Sequence, residues 1–278
     1  MTARTITFGD VAENGPGMEH IGSSVSRGLS LQELHEAQRL FTEDGYQTEL
    51  VNLVTLASCE TLWGPDDIPP ETAQVLIVRN GVGALYGLGE GADIVDAEQQ
   101  GLTPDSKAWM RGRVVNKRAR HNLCFADEGQ EADYENRKGT IIPFVDLPHL
   151  TKVRNTLPAY FGESCRELNA ELNVYYDVTK CGIGFHGDTE RFITIGMRFG
   201  TPIPFHYQWY HQGKPVGKRV VLMLEHGDIY AMGAKAVGKD WLKKLVPTLR
   251  HAAGCPKFTG GWRPPTPLLG NRPSGDVR

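Results

Sequence analysis

The chain has 278 residues, a formal net charge of −3, and 40% hydrophobic and 23% charged residues, proportions ordinary for a soluble globular protein. That balance excludes a chain drawn to nucleic acid or membrane by overall charge, so any such affinity must come from a local patch. Five cysteines without a C-x-x-C pair, no apolar leader and no stretch of membrane-spanning length point to a soluble, intracellular protein in a reducing compartment.

Residues 1–20 are polar and read as a flexible N-terminus. Ser30-Leu31-Gln32-Glu33 is a capping box, and Leu31, Leu34, Leu40 and Phe41 keep helical spacing to Gly45. The apolar runs 49–57 and 74–78 read as strands. Gly81-Val82-Gly83-Ala84-Leu85-Tyr86-Gly87 lacks the spacing of a dinucleotide loop and reads as a glycine-rich turn. Lys107, Arg111, Arg113, Lys117, Arg118 and Arg120 form a basic run with no acidic residue between Ser106 and Ala126. Such a run is either a solvated face or a phosphate-contacting lid. A helix is expected over 150–170, broken at Pro158. From Leu172 onward short strands follow at 172–178, 191–199, 206–210, 219–224 and 228–232. Thirty-two glycines and 17 prolines spread along the chain agree with many turns. The expected fold is mainly β with flanking helices (α+β), its many short strands suggesting a sandwich or jelly roll. The tail after Trp262 is Pro-rich and reads as flexible.

The chemistry concentrates in Phe185-His186-Gly187-Asp188-Thr189-Glu190-Arg191 and Thr248-Leu249-Arg250-His251-Ala252. Two imidazoles and one carboxylate on one face of a metal leave positions open, the arrangement of non-haem Fe(II) oxygenases. On a strand, His186 and Asp188 point to the same face. The third ligand must come from elsewhere, and His206, His211, His226 and His251 all compete for it.

Asn173-Val174-Tyr175, then Gly182 and Gly184, then His186-Gly187-Asp188, the strand Ile193–Gly200, and the Gly227-Asp228 turn within Leu224–Met232 occur in that order. From Leu172 to about Gly254 this pattern resembles the AlkB-like branch of the 2-oxoglutarate/Fe(II) dioxygenases. The resemblance implies a double-stranded β-helix (jelly roll) core over 171–262, within a single oxygenase domain spanning 21–262. Residues 21–100 would form an N-terminal α/β extension, 101–170 a basic, lid-like region, and 263–278 a flexible tail. It implies Fe(II) held by His186, Asp188 and His251, and it places His226 in a turn where the family has no ligand. It gives Asn173 and Tyr175 hydrogen bonds to 2-oxoglutarate, and Glu190 a contact to a target base. The family's carboxylate-binding arginine lies on a strand after the distal histidine. Here that region offers Arg263, with Lys257 and Arg250 as alternatives, and no clean arginine strand. Segment 116–125 resembles the family's nucleotide-recognition lid, making Arg118 and Arg120 candidate substrate contacts. Phe125, Tyr207 and Trp209 could stack on a flipped base or simply be core.

The implied activity is Fe(II)- and 2-oxoglutarate-dependent oxidation of a C–H bond, with a methylated nucleobase in DNA or RNA as the expected substrate. The competing readings are the same chemistry on a protein side chain or small metabolite, and a non-catalytic jelly-roll binding module.

Overall fold

The computed structural model describes residues 1–64 and 69–261, and its largest element is an eight-stranded sheet. Strand β1 (Ala3–Gly9) lies in the middle of that sheet, so the expected looseness of residues 1–20 does not hold there. The alternation in Thr5-Ile6-Thr7-Phe8 explains why: Ile6 and Phe8 are fully buried toward a layer of helices, and burying such side chains is worth about 1.5–3 kcal/mol each. β2 (Val11–Glu13) and β3 (His20–Gly22) form a small hairpin beside it.

Helix α1 (Leu31–Glu43) starts at the expected capping box: Ser30 accepts from the Glu33 amide, and the Glu33 carboxylate accepts from the Ser30 amide. β4 (Thr48–Asn52) ends earlier than the apolar run suggests. The Asn52 side chain accepts from the amides of Val54 and Thr55 and caps a short helix, α2 (Leu53–Leu56), in place of the strand's end. β5 (Gln74–Val78) forms as expected. The glycine-rich stretch after it is not a turn but helix α3 (Gly81–Tyr86), every residue of which is buried. Tertiary packing of Val82, Leu85 and Tyr86 overrides the poor helix propensity of its glycines. Helix α4 (Gly91–Gln100) follows.

The basic run forms a two-stranded hairpin, β6 (Lys107–Met110) and β7 (Arg113–Asn116). The rest of the expected lid region is sheet and helix. β8 (His121–Ala126) and β9 (Ile141–Pro143) belong to the large sheet, and α5 (Pro148–Phe161) packs against it. Pro158 sits inside the last turn of α5 without dividing it, and the chain leaves the helix at Gly162, whose φ of +87° suits glycine. Residues 169–170, expected as helix, already belong to β10 (Asn169–Tyr175).

From β10 onward the strands are shared between two sheets. β10, β12 (Ile195–Gly200) and β15 (Ile229–Met232) lie in the large one. β11 (Gly182–His186), β13 (Ile203–His211), β14 (Lys214–Leu224) and β16 (Thr248–Gly254) form a four-stranded sheet in the order β11-β16-β13-β14. The large sheet runs β4-β5-β15-β12-β1-β10-β8-β9, antiparallel except between β8 and β9. A short helix, α6 (Ala234–Val237), links β15 toward β16. The chain is therefore a mixed α+β protein built mostly of strands, and among the described residues no helix is long and apolar enough to cross a membrane.

Strand alternation divides the interior into two cores. Leu76 and Val78, Ile195 and Met197, and Ile229 and Ala231 pack toward the helices. Val75, Ile77, Tyr230 and Met232 pack instead against Phe205, Tyr207, Trp209 and Leu249 of the small sheet. Phe125, Tyr207 and Trp209 are all core, and the Trp209 indole donates to the Leu53 carbonyl at 2.9 Å, so none is free to stack on a base. The five cysteines are buried free thiols.

Candidate metal centre

On β1, β10 and β12 the residues facing the small sheet depart from the apolar rule. Thr5, Thr7, Glu171, Asn173, Tyr175 and Arg198 occupy inward positions and, with Tyr230, Met232 and Phe205, line one cavity. It encloses about 420 Å³ of empty space, mouth included. His186, Asp188 and His251 form its opposite wall.

The antiparallel register of β11 and β16 sets His186 directly across from His251. An irregularity in the pairing after Ile183 accompanies this approach. The imidazole rings lie 4.5 Å apart, and each Nε2 is close to Asp188 Oδ1, at 3.6 Å from His186 and 3.4 Å from His251. One ligand atom from each of the three residues falls within 4.8 Å of the others, close enough to hold one metal ion together. His186 Nδ1 donates to the Gly184 carbonyl at 2.8 Å, which leaves Nε2 as the lone-pair nitrogen facing Asp188. Gly187 owes its identity to the backbone and side chain facing it: a Cβ there would strike Gly238 and Trp241.

The electrostatics suit a cation. Burial and the neighbouring His251 push the His186 imidazole down to about 3, so the ring is neutral and able to ligate. Burial pushes the Asp188 carboxyl up, but His251, Arg191 and His186 together outweigh it and hold it well below the usual carboxylate range. Asp188 Oδ2 accepts from the Thr194 hydroxyl at 3.3 Å, orienting the carboxylate. The donor set of two imidazoles and one carboxylate therefore fits a divalent transition metal. The other candidate histidines lie elsewhere. His226 accepts from the Gly200 amide and sits 3.2 Å from Asp93, while His206 and His211 are outside the metal-binding group.

Asn173 and Tyr175 reach the cavity as expected, but Asn173 is already engaged. Its carbonyl oxygen accepts from Arg120 Nε and Asn122 Nδ2, and its amide donates to Glu171. Glu190 lies beside Asp188 and accepts from Arg191 at 2.8 Å. Arg120, which donates to Asn173, lines a second, mostly apolar pocket formed by the β6–β7 hairpin, where Lys117, Arg118 and Asn122 also lie. Lys117 is tied down by Asn14, at 2.8 Å to its carbonyl and 2.6 Å to its side chain, whereas Arg118 is exposed.

Of the expected carboxylate anchors, the two among the described residues, Arg250 and Lys257, do not line the cavity. Arg250 neighbours His251 in sequence and so projects from the opposite face of β16, its guanidinium lying over the rings of Tyr210 at 3.9 Å and Trp241 at 5.1 Å. Lys257 lies near Phe258 and is exposed, and Arg263 falls outside the described residues. In their place the cavity contains Arg198, which the sequence reading passed over as part of an apolar strand. Arg198 is completely buried, and none of its three guanidinium nitrogens has a hydrogen-bond partner among the described residues. Burial pulls its pKa down from the ordinary arginine value. The signal was present in Ile195-Gly196-Met197-Arg198-Phe199, where a charge holds the inward register of an otherwise apolar strand.

Comparison with family models gives no match. The chain is similar to the uncharacterized protein R156 of Acanthamoeba polyphaga mimivirus, with 45% identity over 255 residues, covering 91% of this chain and 96% of that protein.

Proposed function

The chain belongs to one family with that mimivirus protein, and we propose that it is an Fe(II)- and 2-oxoglutarate-dependent dioxygenase of AlkB-like type, acting on a nucleobase in nucleic acid. The observation that carries this reading is the convergence of His186, Asp188 and His251 on the wall of a cavity with polar groups on its far side. In this reading the two facing sheets are a jelly roll. The place between β10 and β12 that a strand following β16 would take is held by β1.

When bound, Fe(II) would supply oxygen activation, with 2-oxoglutarate as the source of two electrons, for oxidation of a substrate C–H bond. His186 and His251 would ligate as neutral rings and Asp188 as a carboxylate. The Gly184 carbonyl and Thr194 hydroxyl hold two of these ligands in orientation, as outer partners of metal ligands commonly do. Phe205, Tyr230 and Met232 wall the cavity and limit water near the reacting atoms.

The nucleic-acid part of the reading rests on the β6–β7 region. Lys107, Arg111, Arg113 and Arg118 are exposed cations there, and Arg120 and Asn122 of the hairpin pocket both donate to Asn173, which lines the metal cavity. Exposed Lys and Arg supply the phosphate contacts that position a nucleic acid without reading its sequence.

The test is succinate formation from 2-oxoglutarate with Fe(II), using methylated oligonucleotides as substrates and His251→Ala as control. The parent should produce succinate in excess of the control; no excess with any substrate would sink the reading. Arg118→Glu should weaken oligonucleotide binding while sparing succinate formation in the absence of oligonucleotide. Unchanged binding would remove the nucleic-acid assignment alone.

A further inference from the structure

We infer that Arg198 of β12, with Thr5 of β1, is the anchor for the carboxylate of the co-substrate remote from the metal, so that the N-terminal strand is a working part of the active site. This rests on the dioxygenase reading and deepens it. An arginine with no solvent exposure and, among the described residues, no hydrogen-bond partner for its three guanidinium nitrogens is a poorly compensated buried charge, a costly state that natural folds retain where an anion is received. The planar guanidinium fork matches a carboxylate in geometry as well as charge.

The surroundings reinforce the assignment. Thr5 is the direct cross-strand neighbour of Arg198, and its hydroxyl is likewise buried and unpartnered. Both line the same cavity as the three candidate metal ligands, so one small bifunctional ligand can meet the metal and the guanidinium together. Gly196, two residues before Arg198, has the Tyr230 ring where a side chain would lie, and this brings Tyr230 across the cavity floor. The acidic neighbours do not neutralise Arg198. Asp228 is nearby but accepts from Arg79, the Asn80 amide and the Glu225 amide. Glu171 accepts from Arg191, Asn173 and the Glu13 amide. The ligand class is a 2-oxo dicarboxylate, its 2-oxo acid end directed to the metal and its far carboxylate to Arg198 and Thr5. Among the described residues no arginine strand follows β16; β1 stands in that place, and its partner strand supplies the cation.

The experiment measures binding, without turnover, to the Co(II)-loaded full chain under anaerobic conditions, by calorimetry. The probes are 2-oxoglutarate and pyruvate, a 2-oxo acid lacking the far carboxylate. The parent should bind 2-oxoglutarate more tightly than pyruvate by about 30-fold or more, the scale of a lost charged hydrogen-bond pair. Arg198→Gln should abolish that preference while leaving Co(II) affinity unchanged, which also reports an intact fold. Arg198→Lys should restore part of it, and Thr5→Val should lose roughly 3- to 10-fold, as for one neutral hydrogen bond. An undiminished preference in Arg198→Gln overturns the anchor and leaves the dioxygenase reading standing. If the parent ignores 2-oxoglutarate but binds succinate in chelator, and loses that binding in Arg198→Gln, the anion site stands and the dioxygenase reading falls.

Discussion

Replacing Arg198 with methionine should stabilise the ligand-free protein. The arginine occupies a fully buried position with three unpartnered nitrogens, between sheets whose neighbouring side chains include Tyr175, Tyr230 and Met232. Methionine fills comparable length without a charge to desolvate and packs against Met232 and the two rings. Exchanging poorly compensated buried charge for apolar contact is worth about 1–4 kcal/mol. The assay is urea unfolding followed by circular dichroism, in chelator and without dicarboxylate, where the midpoint of Arg198→Met should rise. Adding metal and 2-oxoglutarate at 100 times its dissociation constant should then stabilise the parent by about 2.7 kcal/mol and the variant hardly at all, closing or reversing the gap. A variant less stable than the parent by more than about 1 kcal/mol in chelator would refute the reasoning, since the guanidinium would then be contributing to the free fold.

Two further perturbations probe the scaffold and its ionisation. Ile6→Ala should cost roughly 2–5 kcal/mol, because Ile6 is fully buried in the central strand; a loss under 1 kcal/mol would show β1 to be peripheral. Burial, and then Glu190 and Glu171, push the Glu13 carboxyl up to about 8 from 4.5, so the folded protein keeps a proton that the unfolded chain has released. The contribution of this group to stability is therefore fully present below about 4.5 and is lost as pH rises toward about 8. Glu13→Gln should flatten that fall and be more stable than the parent at pH 9 by roughly 1–3 kcal/mol; identical slopes of melting temperature against pH would contradict it.

The sequence showed most clearly what depends on local chemistry. The Ser30 capping box and the run 74–78 appear where their residues place them, because caps and period-two patterns act over a few residues; of the strands expected after 172, the one at 191–199 starts only at Ile195, and β11 and β16 were not among them. His186, Asp188 and His251 could be named because the ordered motifs around them are linear features, although Asp188 lies just past the end of β11 and not on it. Two helices were misjudged for nonlocal reasons. The α3 glycines form a helix only because the large sheet and α5 bury it, and α2 exists because Asn52 caps the chain as it leaves the sheet. The role of β1 was invisible for the same reason, since its pairing partners lie 160 or more residues downstream. Arg198 carried a readable sign, a charge in an inward register. Its meaning required knowing that the opposite strand brings Thr5 and no acidic partner.

The most direct measurement is an anaerobic Co(II) titration of the parent, His251→Ala and Asp188→Asn, read by the visible absorption of the bound ion. The parent should bind one equivalent, and each variant should lose about 100-fold or more in affinity. Absence of binding by the parent, or undiminished binding in both variants, would contradict a metal centre built from His186, Asp188 and His251.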